Sequence, residues 1–185
     1  MKSLLSFGAS NSKQSINKEF AKYVSDLIPN TKNTFLDLND FEMPIYSIDK
    51  EIKDGIPSLA YQFKELIKNT DALVISLAEH NGSYSAAFKN IFDWISRIKD
   101  GSLWHDKPIL LLSTSPGLRG GKTVITTAET TFRIMSKGQV TSFSLPEFYK
   151  NFDVNKGVTD PLLKKELYKC IEDFTKILKN NKDIE

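Results

Sequence analysis

The stretch DALVISLA, residues 71–78, decides the fold class of this chain. It is a continuous apolar run of strand length, which is typical of a β-strand buried on both faces. A second run of the same kind, PILLLST, spans residues 108–114. Strands of this type occur in parallel sheets with helices on each side, so the two runs predict an α/β protein.

Further strands and helices alternate with these two runs along the chain. Short apolar or alternating runs predict three more strands, at residues 3–7, 33–38 and 138–145. Apolar residues at helical spacing predict five helices, at residues 15–28, 58–69, 86–99, 123–135 and 161–180. Two prolines and a glycine make residues 42–57 a predicted long loop.

Strict alternation of strand and helix predicts a three-layer α/β/α sandwich around a five-stranded parallel sheet. Five strands favour the order 2-1-3-4-5, which is the flavodoxin-like doubly wound arrangement. We expect residues 1–180 to form one such domain. Residues 181–185, at the end of the charged sequence KNNKDIE, are predicted to be a frayed C-terminal tail.

The composition is that of an ordinary globular chain. Of 185 residues, 40% are hydrophobic and 26% charged, and 25 basic against 23 acidic residues give a net charge of +2. This balance argues against nucleic acid as the main partner. A single cysteine, Cys170, excludes an internal disulfide and favours a cytoplasmic location. No stretch approaches the roughly 20 apolar residues of a membrane span, so we expect no membrane partner.

Ligands of such sheets bind outside the carboxyl ends of the strands, near the point where the strand order reverses. A first loop, GASNSKQSIN (residues 8–17), follows strand one and leads into a helix. Small hydroxyl and amide side chains at a helix N-terminus can hold a phosphate with few cations. Ordinary helix capping is the other explanation of the same residues.

A second loop, residues 78–84, opens the segment AEHNGSYSAAFKNIFDW that follows strand three. Asn81-Gly82 is a turn signal that brings the backbone close to the edge of the sheet, where it suits a flat hydrogen-bonding ring. The alternative is a simple turn that is capped by Ser83 or Ser85.

A third loop, STSPGLRGG (residues 113–121), follows strand four, and its small residues allow a ring to lie against the backbone. A flexible connection is the alternative. Gly-Lys-Thr at 121–123 suggests a phosphate-binding P-loop, but Pro116 stands where that pattern requires glycine.

Together, the three loops resemble those of the NADPH-dependent FMN reductase family. That family has a short serine-rich loop ending in S-x-N after strand one, a segment ending in K-N-x-x-D-W after strand three, and a Ser/Gly-rich loop after strand four. The corresponding segments here are GASNSKQSIN, AEHNGSYSAAFKNIFDW and STSPGLRGG, so the resemblance covers about residues 1–145.

The resemblance implies that the single domain binds FMN. Residues of the first loop would surround the FMN phosphate: Ser10, Asn11, Ser15, Ile16 and Asn17. Residues of the second and third loops would lie along the isoalloxazine ring: Ala78, Glu79, His80, Asn81, Gly82, Ser113, Ser115 and Gly117.

The resemblance also implies an oxidoreductase. NADPH or NADH would reduce FMN, and FMN would pass two electrons to a small acceptor: a quinone, an azo compound, a free flavin or a metal oxyanion. No catalytic side chain and no metal are implied. Members of the family are commonly homodimers or homotetramers, and Trp94, outside the apolar stripe of its helix, is a candidate for the partner surface. A half-buried tryptophan within one chain is the other explanation.

Three positions depart from the family pattern, with Ala78 in place of proline, His80 in place of tyrosine and Asn11 in place of arginine. These departures leave a second function possible for the same fold, that of a non-catalytic module that binds a ligand or carries electrons. Electron carriers of this type are usually strongly acidic, and the net charge of +2 argues against that role. A receiver-type signalling domain would need clustered carboxylates, and Glu79 is alone in these loops. A P-loop ATPase is disfavoured by the missing glycine.

Overall fold

The computed structural model describes residues 1–180, so the predicted tail at 181–185 lies outside the described residues. One sheet contains five parallel strands: β1 (Lys2–Ala9), β2 (Thr31–Leu36), β3 (Ala72–Leu77), β4 (Ile109–Thr114) and β5 (Val140–Leu145). Their order is β2-β1-β3-β4-β5, which confirms the predicted flavodoxin-like arrangement.

Besides the 3₁₀ turn Leu38–Phe41, seven α-helices are present among residues 1–180. They are α1 (Ile16–Asp26), α2 (Ile48–Asp54), α3 (Ser58–Lys68), α4 (Ala86–Ser96), α5 (Lys122–Met135), the single turn α6 (Phe148–Asn151) and α7 (Pro161–Asn180). Five of them correspond to the five predicted helices. They include α5, whose many threonines would by propensity favour a strand. In the described chain no helix combines the length and the apolar character needed to cross a membrane.

The prediction of a continuous loop at residues 42–57 is wrong, because α2 lies within it. Ser47 caps this helix by accepting a hydrogen bond from the Lys50 amide at 3.2 Å, and Gly55, with φ of 77°, ends it. No residue of α2 is buried. Its seven residues include only two apolar side chains, Ile48 and Ile52, which are too few for apolar periodicity to predict a helix.

Both faces of the sheet are covered by helices. All residues of β3 and β4 are buried, as their apolar sequences predict. On one face, α3, α4 and α5 enclose aromatic side chains such as Phe63, Phe88 and Phe132. On the other face, α1 and α7 enclose Phe20 and Phe174. The sheet is thus the middle layer of an α/β/α sandwich.

The register of the strands brings their carboxyl ends level. Ala9 of β1 pairs with Leu77 of β3, and Leu77 pairs with Ser113 of β4. Because the strands are parallel, the loops that leave these three residues emerge at one edge of the sheet. The first, second and third loops are therefore neighbours.

Candidate functional site

The carboxamide of Asn17 joins the first turn of α1 to the ends of two strands that carry the loops. Its Oδ1 accepts hydrogen bonds from Ser76 Oγ at 2.8 Å and from the Thr114 amide at 3.1 Å, and its Nδ2 donates to the Thr114 carbonyl oxygen at 3.1 Å. Asn17 is only 4% exposed. Its side chain therefore fastens the first turn of α1 to β3 and β4, and its main-chain N–H remains for a ligand.

The first loop presents the N-terminus of α1 at this edge. Ser15 caps the helix, accepting from the Lys18 amide at 3.3 Å, and Ser10 Oγ accepts from the Ser12 amide at 3.2 Å. The N–H groups of Ile16 and Asn17 belong to the first turn, where no helical carbonyl can accept from them. Together with the positive end of the helix dipole, they form a group of donors suited to an anion.

Gly8 allows α1 to start close to the sheet. A Cβ atom at this position would lie 2.4 Å from the backbone nitrogen of Lys18, well inside contact distance. Any other residue would push the first turn of α1 away from the end of β1.

The cation within this first turn, Lys18, is already engaged. Lys18 Nζ lies 2.6 and 2.7 Å from the two carboxylate oxygens of Asp37. Although burial opposes it, hydrogen bonds from Lys18 and Asn39 hold the pKa of Asp37 below its usual value. Exposed Asn11 stands where the family has arginine, so the donors of this loop are mostly uncharged.

The second loop is a tight hairpin, an element that the sequence did not predict. The short strands Glu79–His80 and Ser83–Tyr84 pair antiparallel. Asn81 and Gly82 between them both have positive φ, 52° and 76°, as a two-residue hairpin turn requires. The tip of this hairpin is partly to fully exposed, whereas Ala78 at its base is buried.

The carboxylate of Glu79 reaches the start of α5. Its Oε2 accepts a hydrogen bond from the Val124 amide at 2.9 Å. Val124 is the third residue of α5, and Gly121, the residue at the cap position, has no side chain to make this bond. The sequence analysis assigned Glu79 only to the isoalloxazine ring and missed its bond to Val124. A helix start with glycine in place of a capping residue is the sequence feature that could have indicated this bond.

Ser85 ties the second loop to the first. It caps α4 by accepting from the Phe88 amide at 3.2 Å, as the alternative interpretation of this loop holds. Its hydroxyl also donates to the Ala9 carbonyl oxygen at 2.8 Å. The sequence analysis missed this second bond, which connects the start of α4 to the end of β1.

The third loop has a buried base and an exposed tip. Ser113 is fully buried and donates from Oγ to the Gly120 carbonyl oxygen at 2.8 Å, so its side chain holds the loop closed. Ser115 is half-buried, and residues 116–119 are exposed. At Gly117 an added Cβ would meet no atom within 4 Å. Of the three predicted residues here, Ser115 and Gly117 lie where a ligand can reach them.

A cleft of about 230 Å³ adjoins the first loop. Asn11 lies on one side, the segment after β2 on another, and the first turns of α4 form the rest. This volume is below the roughly 300–1,000 Å³ of an enclosed small-molecule pocket. A mononucleotide on these loops would therefore lie in an open trough.

Larger grooves lie elsewhere. One of about 570 Å³ lies on α3 beside Lys64 and Asp100, and one of about 670 Å³ lies between α5, β5 and α7. Neither is lined by a predicted site residue. Within residues 1–180, no group of three or more His, Cys, Asp or Glu side chains is placed to hold a metal ion.

Trp94 does not form a partner surface, so that prediction is wrong. The side chain is 1% exposed, and its Nε1 donates to the Pro44 carbonyl oxygen at 2.7 Å. The ring of Tyr46 packs edge-on against it, with centroids 5.0 Å apart. The segment after β2 thus covers the flank of α4 that the helical stripe leaves open.

A doubly wound sheet of this strand order, with serine- and glycine-rich loops where the order reverses, defines a protein of the flavodoxin-like class. The donors of the first loop suit a phosphate, and the exposed backbone of the other two loops suits a flat ring. A model of the NADPH-dependent FMN reductase family matches residues 3–149, and the chain belongs to this family.

Named relatives are similar over part of their length. A 2-hydroxy-1,4-benzoquinone reductase from a Burkholderia species is 34% identical over 109 residues, 58% of this chain and 57% of the relative. An NADPH:quinone oxidoreductase of Arabidopsis thaliana is 30% identical over 95 residues, 51% of this chain and 46% of the relative. The chain therefore spans about half the length of these relatives.

Solved structures share the whole fold. The flavoenzyme NAD(P)H:(acceptor) oxidoreductase FerB of Paracoccus denitrificans has a TM-score of 0.76 at 24% identity, with 97% of this chain and 98% of that chain covered. An NAD(P)H:quinone oxidoreductase of Methanothermobacter marburgensis has a TM-score of 0.66 at 14% identity, with 95% and 96% covered. At these identities the likeness establishes the fold.

Proposed function

We propose that this protein is an NAD(P)H-dependent FMN oxidoreductase. NADPH or NADH is the electron donor, and a small molecule such as a quinone, an azo compound, a free flavin or a metal oxyanion is the acceptor. The observation that carries this proposal is the hydrogen bonding of Asn17 to Ser76 and Thr114. These bonds fix the N-terminus of α1 beside the second and third loops. The N–H groups that would bind the phosphate and the loops that would bind the ring therefore lie at the same edge of the sheet.

The first loop holds the phosphate of FMN in this proposal. Ser10, Asn11, Ser15, Ile16 and Asn17 surround it. The main-chain N–H groups of Ile16 and Asn17 donate to the phosphate oxygens, and the dipole of α1 favours the negative charge. The carboxamide of Asn17 acts indirectly, because its hydrogen bonds are made to the protein.

The second and third loops hold the isoalloxazine ring. The hairpin supplies Ala78, Glu79, His80, Asn81 and Gly82, and the third loop supplies Ser113, Ser115 and Gly117. The open space at Gly117 and the exposed hairpin tip support this assignment, since they leave main-chain groups within reach of a flat ligand. Ser113 is buried, so it contributes indirectly, through the hydrogen bond to Gly120 that closes the third loop.

FMN, when bound, supplies the chemistry of two-electron hydride transfer. The residues of the chain bind and orient it, and we assign none of them a catalytic role. The N–H groups at the start of α1 fix one end of the cofactor, and the backbone of the hairpin fixes the other. Holding the cofactor in one orientation lowers the entropy cost of bringing a donor to it.

We further propose that the protein works in the cytoplasm as a homodimer or homotetramer. The cleft beside Asn11 is too small to enclose a mononucleotide, so a second copy of the chain would complete the cover of an open trough. Three isoleucines of the segment after β2 support such contact: Ile45, Ile48 and Ile52 are 78%, 50% and 77% exposed. The names of the relatives support a quinone as acceptor.

An absorption spectrum of the purified protein, recorded before and after addition of FMN, tests the proposed function. We expect visible flavin bands that stay with the protein on gel filtration and bleach when NADPH is added under argon. A protein that retains FMN but is not reduced by NADPH or NADH would instead be a non-catalytic electron carrier or binding module. A colourless protein that ATP protects from melting, and FMN does not, would contradict both.

A further inference from the structure

The start of α5 is unusual because its cap position has no side chain. Its cap position is Gly121, in the left-handed region with φ of 78°. A Cβ atom there would lie 3.0 Å from Ser113 Cβ, and a capping serine, threonine or aspartate would also have to adopt the left-handed conformation, so the position favours glycine. A helix of 14 residues, Lys122–Met135, therefore begins without a capping side chain of its own.

Glu79 supplies the missing cap from a different loop. Its Oε2 accepts from the Val124 amide, at the position that a local N-cap side chain normally serves. A carboxylate at a helix N-terminus is also favoured by the helix dipole. The bond joins residues 45 positions apart in the chain, so it connects the second loop to the end of the third.

Further contacts surround this bond. The hairpin lies against the first turn of α5, where a Cβ added to Gly82 would sit 3.7 Å from Thr123 Cγ2. Tyr84, the pairing partner of Glu79, packs its ring on Phe88 and Phe92 with centroids 5.5 and 6.0 Å apart. The base of the hairpin is thus anchored in the core, and the carboxylate of Glu79 fixes its side to α5.

We propose that Glu79 is a positioning residue, which locks the hairpin 79–84 to the first turn of α5 so that the two loops flanking the flavin form one rigid unit. The inference rests on the proposed function, because the role of Glu79 is to hold in place the two loops that would bind the isoalloxazine ring. Glu79 acts through Val124 and α5. Removing its carboxylate would free the hairpin and the third loop to move independently.

Hydrogen exchange on the protein without FMN tests the lock itself. In Glu79→Ala, we expect the amides of the hairpin and of residues 122–125 to lose protection together. Ser102→Ala is the matched control, because it removes one hydrogen bond to a main-chain amide, that of Asp106, ahead of β4 at the opposite edge of the sheet. Loss of protection in only one of the two segments, or in neither, would overturn the proposal.

FMN affinity tests what the lock is for. We expect Glu79→Ala to weaken FMN binding about five-fold, the equivalent of one helix cap. Glu79→Gln keeps an acceptor oxygen for Val124 and should restore most of the affinity, whereas Ser102→Ala should leave the affinity unchanged. Equal binding by wild type and Glu79→Ala, or equal weakening by Glu79→Ala and Ser102→Ala, would overturn the proposal. If wild type itself binds no FMN, the proposed function fails, and the exchange data alone then decide whether the lock exists.

Discussion

The carboxamide oxygen of Asn17 lies 2.8 Å from the hydroxyl oxygen of Ser76, and this hydrogen bond joins the first turn of α1 to the carboxyl end of β3. Both residues are buried at the edge where the three loops emerge. The same carboxamide binds both main-chain groups of Thr114 on β4. One side chain thus aligns the three elements on which the proposed FMN site depends.

Replacing Asn17 with alanine should destabilise the protein by about 3 kcal/mol. The substitution leaves the buried N–H and carbonyl of Thr114 without their partner, and each unsatisfied group costs about 1–3 kcal/mol. Urea denaturation followed by circular dichroism measures the change. Ser76→Ala, which removes one of the three bonds, should cost about 1 kcal/mol. Equal stability of Asn17→Ala and wild type would contradict the alignment role.

Alanine at Gly8 and alanine at Gly117 should have different effects on stability, because the backbone of α1 lies against Gly8 and open space lies beside Gly117. We expect Gly8→Ala to lower stability by about 3 kcal/mol and to weaken FMN binding, because the new methyl group meets the backbone of Lys18. Gly117→Ala should change stability by less than about 0.5 kcal/mol, since it meets no atom within 4 Å. Thermal melts of both variants check this, and similar losses from both would show that α1 does not start where the structure places it.

The hydrogen bond of Trp94 should contribute to stability and not to assembly. Trp94→Phe removes the bond from Nε1 to the Pro44 carbonyl, and we expect a loss of about 1 kcal/mol in the free energy of unfolding. The oligomeric state, measured by light scattering, should not change. A shift toward monomer would restore the partner-surface interpretation that the burial of this side chain contradicts.

Cys170 should be almost unreactive at neutral pH. Burial, and secondarily the charge of Asp173, raises the pKa of its thiol to about 11. Because the folded-state pKa lies above that of the unfolded chain, the thiol contributes stability below the unfolded value of 9.0 and loses it as pH rises toward 11. Alkylation with iodoacetamide at pH 8 should be slow in native protein and fast in urea. Equal rates in both would contradict the raised pKa of this half-buried thiol.

The sheet could be predicted from the sequence because its signal is local. The apolar runs of β3 and β4 are buried along their whole length, and strict alternation with helices leaves few topologies. The three loops could be located for the same reason, since each follows a strand directly. The helix α2 could not be predicted from apolar periodicity, because its seven residues include only two apolar side chains, Ile48 and Ile52.

The bonds that build the site could not be predicted, because they join residues far apart in the chain. Asn17 and Thr114 are 97 positions apart, and Glu79 and Val124 are 45 apart. Serine, asparagine and glutamate at loop positions predict capping or ligand binding in general, without naming the partner. The burial of Trp94 depends on the path of residues 44–46 over α4, which no helical pattern encodes.

A crystal structure of the protein soaked with FMN tests the central claim most directly. We predict the phosphate at the main-chain N–H groups of Ile16 and Asn17, with the ring against the hairpin 79–84 and the third loop at Ser115 and Gly117. FMN bound only in another groove, such as that beside Lys64 and Asp100, would contradict the account.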